Sequence, residues 1–416
     1  MKRLIVLGEG TAGTMAVNKL HRKLGSRWQI TILDQNDRHL YQPGLLFIPF
    51  GIYQPSDVTK PRQRFIPDGV EFVLGEIEQV DADASEVRLA DGRRLGYDYL
   101  VIATGTAPRP DQTPGMLGQQ WRRSIFDFYS LDGATALART LASFEAGRVV
   151  VHVTDMPIKC PVAPLEFTFL AEAYTRRRGM RDRVELTYAT PLPGAFTKPI
   201  ASAHLGSMLD DRKIHVESDF MVERIDDEAK TLISYDEREI PFDLLVTVPL
   251  NMGAEFIARS GLGDELNYVP VDKHTLLSKA HDNIFAIGDA SNIPTSKAGS
   301  VAHFSVDVFT GNFCQHVGGQ PMTGRFDGHA NCFVESGDGK GLLIDFNYDT
   351  EPLTGSYPVP IVGPFGLLRE TAANHWGKLA FRWLYWHVLL PGRPIPLPAR
   401  MSMAGKHGPD RSKERS

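Results

Sequence analysis

The stretch LIVLGEGTAG, residues 4–13, decides the fold of this chain. Its apolar start predicts a short buried strand, and Gly8, Gly10 and Gly13 follow with the spacing G-x-G-x-x-G. Glycines at these positions allow a tight turn, give a pyrophosphate access to the backbone, and let the following helix pack closely on the strand. Helical spacing of apolar residues continues over 14–24, so the N–H groups that begin the helix would face the phosphates. The stretch therefore predicts a nucleotide-binding turn.

Two β-α-β units are predicted along the chain. The first closes with an apolar strand over 29–33, and Asp34 at its end is placed to accept a hydrogen bond from a ribose hydroxyl. The second runs from a strand over 148–154 through a helix over 166–177 to a strand over 184–189. Because strands that alternate with helices favour parallel sheets, the sequence predicts an α/β protein with two Rossmann-like domains.

Size and composition are those of a globular protein with more than one domain. The chain has 416 residues, 42% hydrophobic and 23% charged, and its 45 basic and 50 acidic residues leave a net charge of −5. This balance gives no indication of nucleic-acid binding. No apolar run reaches the roughly 18 residues of a spanning helix, and we recognise no secretory signal. Three cysteines without a Cys-x-x-Cys pair predict neither a disulfide framework nor a metal site.

Two further segments end predicted strands with a turn, Tyr99–Gly105 and Asn283–Asp289. Both recur in flavoproteins with two dinucleotide-binding domains, and that resemblance implies FAD at the first site. A carboxylate at a strand end can accept hydrogen bonds from the sugar-like ribityl hydroxyls. The residues implied as cofactor contacts in these segments are Thr104, Gly105, Gly288 and Asp289.

The second β-α-β unit lacks the features of a nicotinamide site. Residues 154–161 follow its first strand without a glycine, and Pro157 and Pro161 remove N–H donors from that loop. The strand over 184–189 is not followed by an acidic residue. Cys160 lies in this loop, where a nicotinamide site would have its glycine turn. The neighbouring Lys159 and the start of a helix are expected to favour the thiolate of Cys160. The alternative is a buried cysteine that acts as a small apolar residue.

The chain resembles the sulfide:quinone oxidoreductases over nearly its whole length, with the flavoprotein subunit of flavocytochrome c sulfide dehydrogenase as a more distant likeness. The motifs that carry the resemblance are residues 8–13, His39-Leu40-Tyr41-Gln42-Pro43, Lys159–Glu166, Gly288-Asp289-Ala290 with Lys297-Ala298-Gly299, Asn331–Glu335 and His375–Phe381. The resemblance implies that Cys160 and Cys332 are a redox pair beside the flavin, with Cys332 nearer to its reactive carbon. It assigns no role to Cys314. A third functional cysteine of many family members has no counterpart between Thr106 and Lys159.

The same resemblance implies a reaction. Sulfide would attack a Cys160–Cys332 disulfide or sulfur-bridged form, sulfur would leave as polysulfide or elemental sulfur, and two electrons would pass through FAD to a quinone. Since residues 1–159 contain no cysteine, we expect noncovalent FAD.

Four other residues are predicted to serve this site. Glu166 resembles a family carboxylate that manages protons, although an exposed helix glutamate would look the same. His204 is a weaker candidate for that task, because a lone histidine is more often a surface or core residue. Lys297 is predicted to stabilise negative charge on reduced flavin, with a solvated lysine as the alternative. Gln42 is implied as a cofactor contact.

The segment 376–390 is rich in aromatic and apolar residues, with Lys378, Arg382 and Tyr385 on one side at helical spacing. At about 1.5 Å per residue it would span about 22 Å, less than the hydrocarbon core of about 30 Å. We therefore predict an amphipathic helix that lies on a membrane surface. The alternative is a helix packed on the protein's own core or on a partner subunit. Tyr357 and Phe365 are implied as aromatic walls for the quinone ring.

These predictions give one domain layout. We expect an FAD domain at 1–110 and 275–330, a second Rossmann-like domain at 111–274, a C-terminal quinone and membrane region at 331–404 with a hairpin at 337–341, and a disordered tail at 405–416. The family resemblance implies a monotopic protein of the prokaryotic cytoplasmic membrane, on a face left undetermined, and leaves a homo-oligomer open. Alternative functions are a sulfide dehydrogenase that donates to cytochrome c, a type II NADH:quinone dehydrogenase, and a non-catalytic FAD-binding redox sensor.

Overall fold

The glycine turn lies at the carboxyl edge of a five-stranded parallel sheet. The computed structural model describes residues 1–359 and 363–407. The strand order of this first sheet is Ile284–Ala286, Tyr99–Ile102, Lys2–Leu7, Trp28–Asp34 and Glu71–Leu74. Trp28–Asp34 and Tyr99–Ile102 lie on opposite sides of Lys2–Leu7, so the strand order reverses at this central strand. Open α/β sheets bind ligands at such a switch point, which here is the edge beside Gly8.

A second parallel sheet has the same architecture. Its strand order is Ile125–Phe126, Leu244–Val248, Gly147–Val153, Val184–Ala189 and His215–Glu217. The two predicted β-α-β units are therefore confirmed, each within its own sheet. Smaller sheets are formed by Arg38–Leu40 with Thr59–Pro61, Ile77–Asp81 with Glu86–Leu89 and Arg94–Gly96, Ala107–Pro108 with Asn251–Met252, and Val222–Asp226 with Thr231–Ser234 and Glu239–Pro241.

The C-terminal region forms a third, mostly antiparallel sheet. Its order is Ala330–Gly337, Lys340–Phe346, Phe365–Leu367, Thr354–Tyr357 and Lys406–His407. The predicted hairpin is present, because Ala330–Gly337 and Lys340–Phe346 pair as antiparallel strands, and the positive φ angles of Gly337 and Gly339 suit the tight turn between them. The predicted disorder from Gly405 is wrong at its start, since Lys406–His407 pairs with Thr354–Tyr357; residues 408–416 lie outside the described residues.

Seven helices lie within the described residues. They are α1 (Thr11–Leu24), α2 (Leu131–Ser143), α3 (Ala163–Arg177), α4 (Pro199–Asp211), α5 (Glu255–Arg259), α6 (Gly299–Val317) and α7 (Ala372–Leu384), which continues into a π-helical turn at Tyr385–Leu389. The structure starts α3 three residues before the predicted Glu166, because Pro164 in the first turn fits a helix start whose N–H groups need no partner. One buried apolar cluster joins the three large sheets and α7.

Candidate functional site

The glycine turn has the geometry that its sequence predicts. Gly8 has a φ of +95°, and a Cβ there would lie 2.7 Å from the carbonyl oxygen of Ala103. A Cβ on Gly13 would lie 1.9 Å from the Gly8 carbonyl oxygen, so only glycine lets α1 approach the strand this closely. Gly10 precedes α1 without a side-chain cap, and no atom lies within 4 Å of the position of its missing Cβ. The N-terminal end of α1 thus opens onto free space that suits a phosphate.

That space belongs to an open cavity between the carboxyl edge of the first sheet, α3 and α7, whose empty space, with the part that opens to solvent, is about 1100 Å³. Most of the predicted cofactor contacts line it: Gly10, Gln42, Thr104, Gly105, Gly288, Asp289 and Lys297. The Thr104 hydroxyl is buried without a partner, and Asp289 presents a carboxyl group to the same cavity. An unpartnered hydroxyl, a carboxyl group and a helix terminus are the groups that the hydroxyls and phosphates of FAD require. The cavity residues therefore fit the predicted cofactor.

Asp34 is held by groups that the sequence interpretation missed. Its carboxylate accepts hydrogen bonds from the backbone N–H of Glu9, at 2.8 Å, and lies 3.1 Å from the Arg62 guanidinium. Arg62 also contacts the fully buried Glu9 side chain at 3.4 Å. Burial raises the pKa of Glu9 to about 8, with Arg62 opposing the shift and Asp34 adding to it. The only sign of this cluster in the sequence was a charged residue, Glu9, between two glycines of the turn.

Cys160 lines the cavity, in the loop before α3. Its N–H donates to the Lys297 carbonyl at 2.6 Å, and its own carbonyl accepts from Ala163 N–H and from the Tyr129 hydroxyl. The expectation of a favoured thiolate is wrong for the chain as it stands. Burial raises the pKa of the Cys160 thiol well above its usual range, and the Glu166 carboxylate raises it further. Lys159 is not among the groups that shift the pKa of Cys160, and burial lowers the pKa of Lys159 itself.

Cys332 lies on the strand Ala330–Gly337, against which α3 packs. Burial raises the pKa of its thiol to about 11, and the Lys378 ammonium opposes that shift. Lys378 also lowers the pKa of Cys160, whereas the charge of Cys332 raises it. The structure thus brings both predicted cysteines within electrostatic range of one lysine and of each other, as free thiols. Cys314 lies on α6 and is not among the residues that line the cavity.

Glu166 and Lys378 form a buried ion pair at this place. The Glu166 side chain is fully buried, and its Oε1 atom accepts from Lys378 Nζ and from the Glu335 N–H at 2.6 Å. Lys378 Nζ also donates to the Phe333 carbonyl at 3.0 Å. The alternative of an exposed helix glutamate is therefore wrong. Burial raises the pKa of Glu166, while Lys378 holds it down.

The polar side of α7 faces the protein. Besides the Lys378 pair, Arg382 lies 3.1 Å from Asp57, and the Tyr385 hydroxyl is 2.7 Å from both the Thr11 hydroxyl and His39 Nε2. The outer side of the helix carries Trp376 and Trp383, which are 66% and 63% exposed. No helix in residues 1–359 and 363–407 has the length and apolar character needed to cross a membrane. Leu379, Phe381 and Leu384 of the same helix pack against the protein's core, as the alternative of a helix packed on its own core predicts, and the membrane contact stays a prediction.

Four predicted residues lie elsewhere or act differently. His204 sits on the exposed side of α4 and does not line the cavity, so we assign it no role. Tyr357 and Phe365 are direct cross-strand partners in the third sheet and also do not line the cavity. Lys297 is not a solvated lysine: its Nζ donates to the carbonyls of Asp289 and Ser291, and burial lowers its pKa to about 8.

Known proteins show what this arrangement is similar to. Residues 2–152 match the family model "Pyridine nucleotide-disulphide oxidoreductase". The mitochondrial sulfide:quinone oxidoreductases of Dictyostelium discoideum and Mus musculus are 27% and 26% identical, each over 94% of this chain and 86% of the relative. The resemblance to the sulfide:quinone oxidoreductases is confirmed. The solved sulfide:quinone oxidoreductase of Aquifex aeolicus shares the fold, with a TM-score of 0.79 at 20% identity over 94% of this chain and 92% of that one.

Proposed function

We propose that this protein oxidises sulfide to polysulfide or elemental sulfur through Cys160 and Cys332, with noncovalent FAD, and passes two electrons to a membrane quinone. The observation that carries the proposal is the placement of both cysteines around Lys378, with Cys160 on the wall of the cavity that fits FAD. The similarity to sulfide:quinone oxidoreductases over 94% of the chain supports the same reaction.

The glycine turn, Thr104 and Asp289 are the groups that we propose to hold FAD by its phosphates and hydroxyls. Bound FAD supplies an acceptor for the two electrons released by the cysteine chemistry and a donor for the quinone. Binding is proposed to be noncovalent, since none of the residues 1–159 is a cysteine.

The cysteine chemistry begins from a Cys160–Cys332 disulfide or sulfur-bridged form. In the disulfide, HS⁻ forms a new S–S bond to one cysteine and breaks the bond to the other, which leaves a persulfide and a thiolate. A second sulfide then takes the outer sulfur atom as the start of a polysulfide, so that a second thiolate remains. Lys378 stabilises the thiolates by its charge, and Glu166 takes up the proton that sulfide brings. When the disulfide forms again, two electrons are released.

The outer side of α7 is the proposed contact with the membrane. Trp376 and Trp383 suit the headgroup region, where amphipathic rings concentrate, and the helix would lie along the surface instead of crossing it. We propose a monotopic membrane protein, with Tyr357 and Phe365 beside the quinone as the family resemblance implies. The domain boundaries at 1–110 with 275–330, at 111–274 and at 331–404 remain part of this proposal. Because two of the relatives are mitochondrial, the kind of membrane is left open.

A turnover assay under anaerobic conditions tests the function. Purified protein with sulfide and a short-chain quinone should reduce the quinone, and sulfide alone should bleach the flavin absorbance. NADH should not bleach it, because the loop 154–161 has two prolines and no glycine cradle. Bleaching by NADH and not by sulfide would support the type II dehydrogenase instead, and electron transfer to cytochrome c without quinone reduction would support the sulfide dehydrogenase.

A further inference from the structure

A second buried carboxylate lies beside the Glu166–Lys378 pair and is connected to the surface. Glu335 follows Cys332 on the same strand, and its side chain is 2% exposed. His375 on α7 donates from Nδ1 to Glu335 Oε1 at 2.7 Å, and its side chain is 18% exposed. The His375 ring contacts the exposed Trp376 at 5.4 Å between ring centroids. In this hydrogen-bonded pair Glu335 is therefore buried, and His375 reaches solvent.

Two oxygen atoms in this region lack partners. Glu166 Oε2 and Glu335 Oε2 are both buried without a hydrogen bond, on two carboxylates that share one neighbouring cation, Lys378. An unpartnered buried carboxylate oxygen is costly unless it holds a proton or a water molecule. Burial raises the pKa of both glutamates, so each holds a proton more readily than a carboxylate in water. This arrangement of Glu166 and Glu335 around Lys378 suits the transfer of a proton from one carboxylate to the other.

The proposed reaction requires such an exchange of protons. HS⁻ becomes a neutral sulfane sulfur when it loses two electrons and one proton, whereas a quinone takes up two electrons and two protons. Protons must therefore leave the buried cysteine site in every turnover and enter again from water at the quinone. Glu166 can store one proton, and repeated turnover needs a route by which that proton departs.

We propose that Glu335 and His375 form the proton-exchange pair of this site, which carries protons between the Glu166–Lys378 ion pair and the surface beside Trp376. This inference rests on the proposed function. The two residues act through Glu166, so they are positioning residues. The side chains of the route lie on a β-strand and on helices.

The test separates a single turnover from repeated turnovers. His375→Asn keeps a donor near Glu335 and removes the imidazole, and Glu335→Gln removes the carboxylate. His387→Asn is the matched control, in the π-helical turn that follows α7. In both pair variants, the first anaerobic bleaching of FAD by sulfide should keep the unsubstituted rate, because Glu166 can take one proton. Steady-state quinone reduction should fall about 10²-fold, as expected when a proton-transfer group is lost.

Chemical rescue distinguishes proton transfer from a structural role. Free imidazole should restore turnover to His375→Ala and leave Glu335→Gln and the His387→Asn control unchanged, while FAD content and thermal unfolding confirm that each variant is folded. The inference is overturned if both pair variants turn over at the unsubstituted rate, or if bleaching slows in proportion to turnover and imidazole has no effect. If sulfide does not bleach the unsubstituted protein, the proposed function fails, and this inference fails with it.

Discussion

Lys378 on the C-terminal helix forms an ion pair with Glu166 on α3, across 212 positions of sequence. This contact connects the C-terminal helix to α3, the helix that follows the Cys160 loop. Among the influences resolved there, the ammonium is the one cation that lowers the pKa of each thiol, against burial and the Glu166 carboxylate, which raise it.

Substitution of the two cysteines tests the sulfur chemistry. Cys160→Ala and Cys332→Ala should each abolish flavin bleaching by sulfide under anaerobic conditions, because the disulfide that sulfide attacks can no longer form. Cys314→Ala is the control, since that thiol lies on α6 away from the cavity lining. Retention of bleaching in both single variants would contradict the proposed mechanism.

Removal of the Lys378 charge should shift the pH dependence of sulfide oxidation. In Lys378→Met the pKa of both thiols rises further, so that less thiolate is present at a given pH and the bleaching rate falls. The rate should recover partly as the pH is raised, which moves the profile toward alkaline pH. Lys340→Met, at the exposed tip of the 337–341 hairpin, should leave the profile unchanged. A uniform loss of rate with no displacement of the profile would exclude the electrostatic role.

The Tyr385 hydroxyl should stabilise the cofactor site. Tyr385→Phe removes the hydrogen bonds to Thr11 and His39 and leaves the buried His39 Nε2 without a partner, at a cost of about 1–3 kcal/mol. The melting temperature should fall, and FAD should dissociate more readily because Thr11 begins α1 beside the phosphate position. The control Tyr235→Phe alters a 72% exposed ring and should change neither quantity. Equal FAD retention in the two variants would contradict this role.

The exposed tryptophans should govern membrane attachment. Trp376→Ser combined with Trp383→Ser should reduce cosedimentation with liposomes and preserve sulfide-dependent bleaching, because the polar contacts of α7 lie on the opposite side of the helix. Leu117→Ser removes another exposed apolar side chain, 52% exposed, and serves as the control. Undiminished liposome binding of the double variant would place the membrane contact elsewhere.

Glu9 should make stability depend on pH. A carboxyl group whose native pKa is about 8, above its usual 4.5, binds more protons in the native state than in the unfolded state between these values. Stability should therefore fall as the pH rises through this window, by up to about 1.4 kcal/mol per pH unit, and level off above it. Glu9→Gln, whose amide oxygen can still accept from Arg62, should flatten the curve of melting temperature against pH. Parallel curves for the two proteins would show that Glu9 is ionised at neutral pH.

The sequence was sufficient for the parts of the site that depend on local backbone geometry. The glycine turn, both parallel sheets and the hairpin at 337–341 follow from residue types that fix turns and from the spacing of apolar residues. Most of the predicted cofactor contacts line one cavity for the same reason, since the carboxyl ends of parallel strands meet at one edge.

The contacts that depend on which side of a helix faces the protein could not be predicted. Helical spacing placed Lys378, Arg382 and Tyr385 on one side of α7, but spacing alone does not say whether that side meets water or Glu166, Asp57 and Thr11. His204 was a candidate by residue type only, and the structure leaves it exposed on α4. The thiol of Cys160 was expected to ionise readily because a neighbouring lysine is visible in the sequence, whereas the burial that dominates its pKa is not.

The helix α7 carries exposed tryptophans on one side and residues of the cavity wall on the other. This arrangement limits how the chain can be shortened for biochemical work. A chain shortened before residue 372 would lose the exposed tryptophans, but it would also lose Lys378, Phe381 and Tyr385 from the wall of the cavity. Detergent-free material is therefore better sought by exchanging Trp376 and Trp383 for polar residues than by trimming the C-terminus.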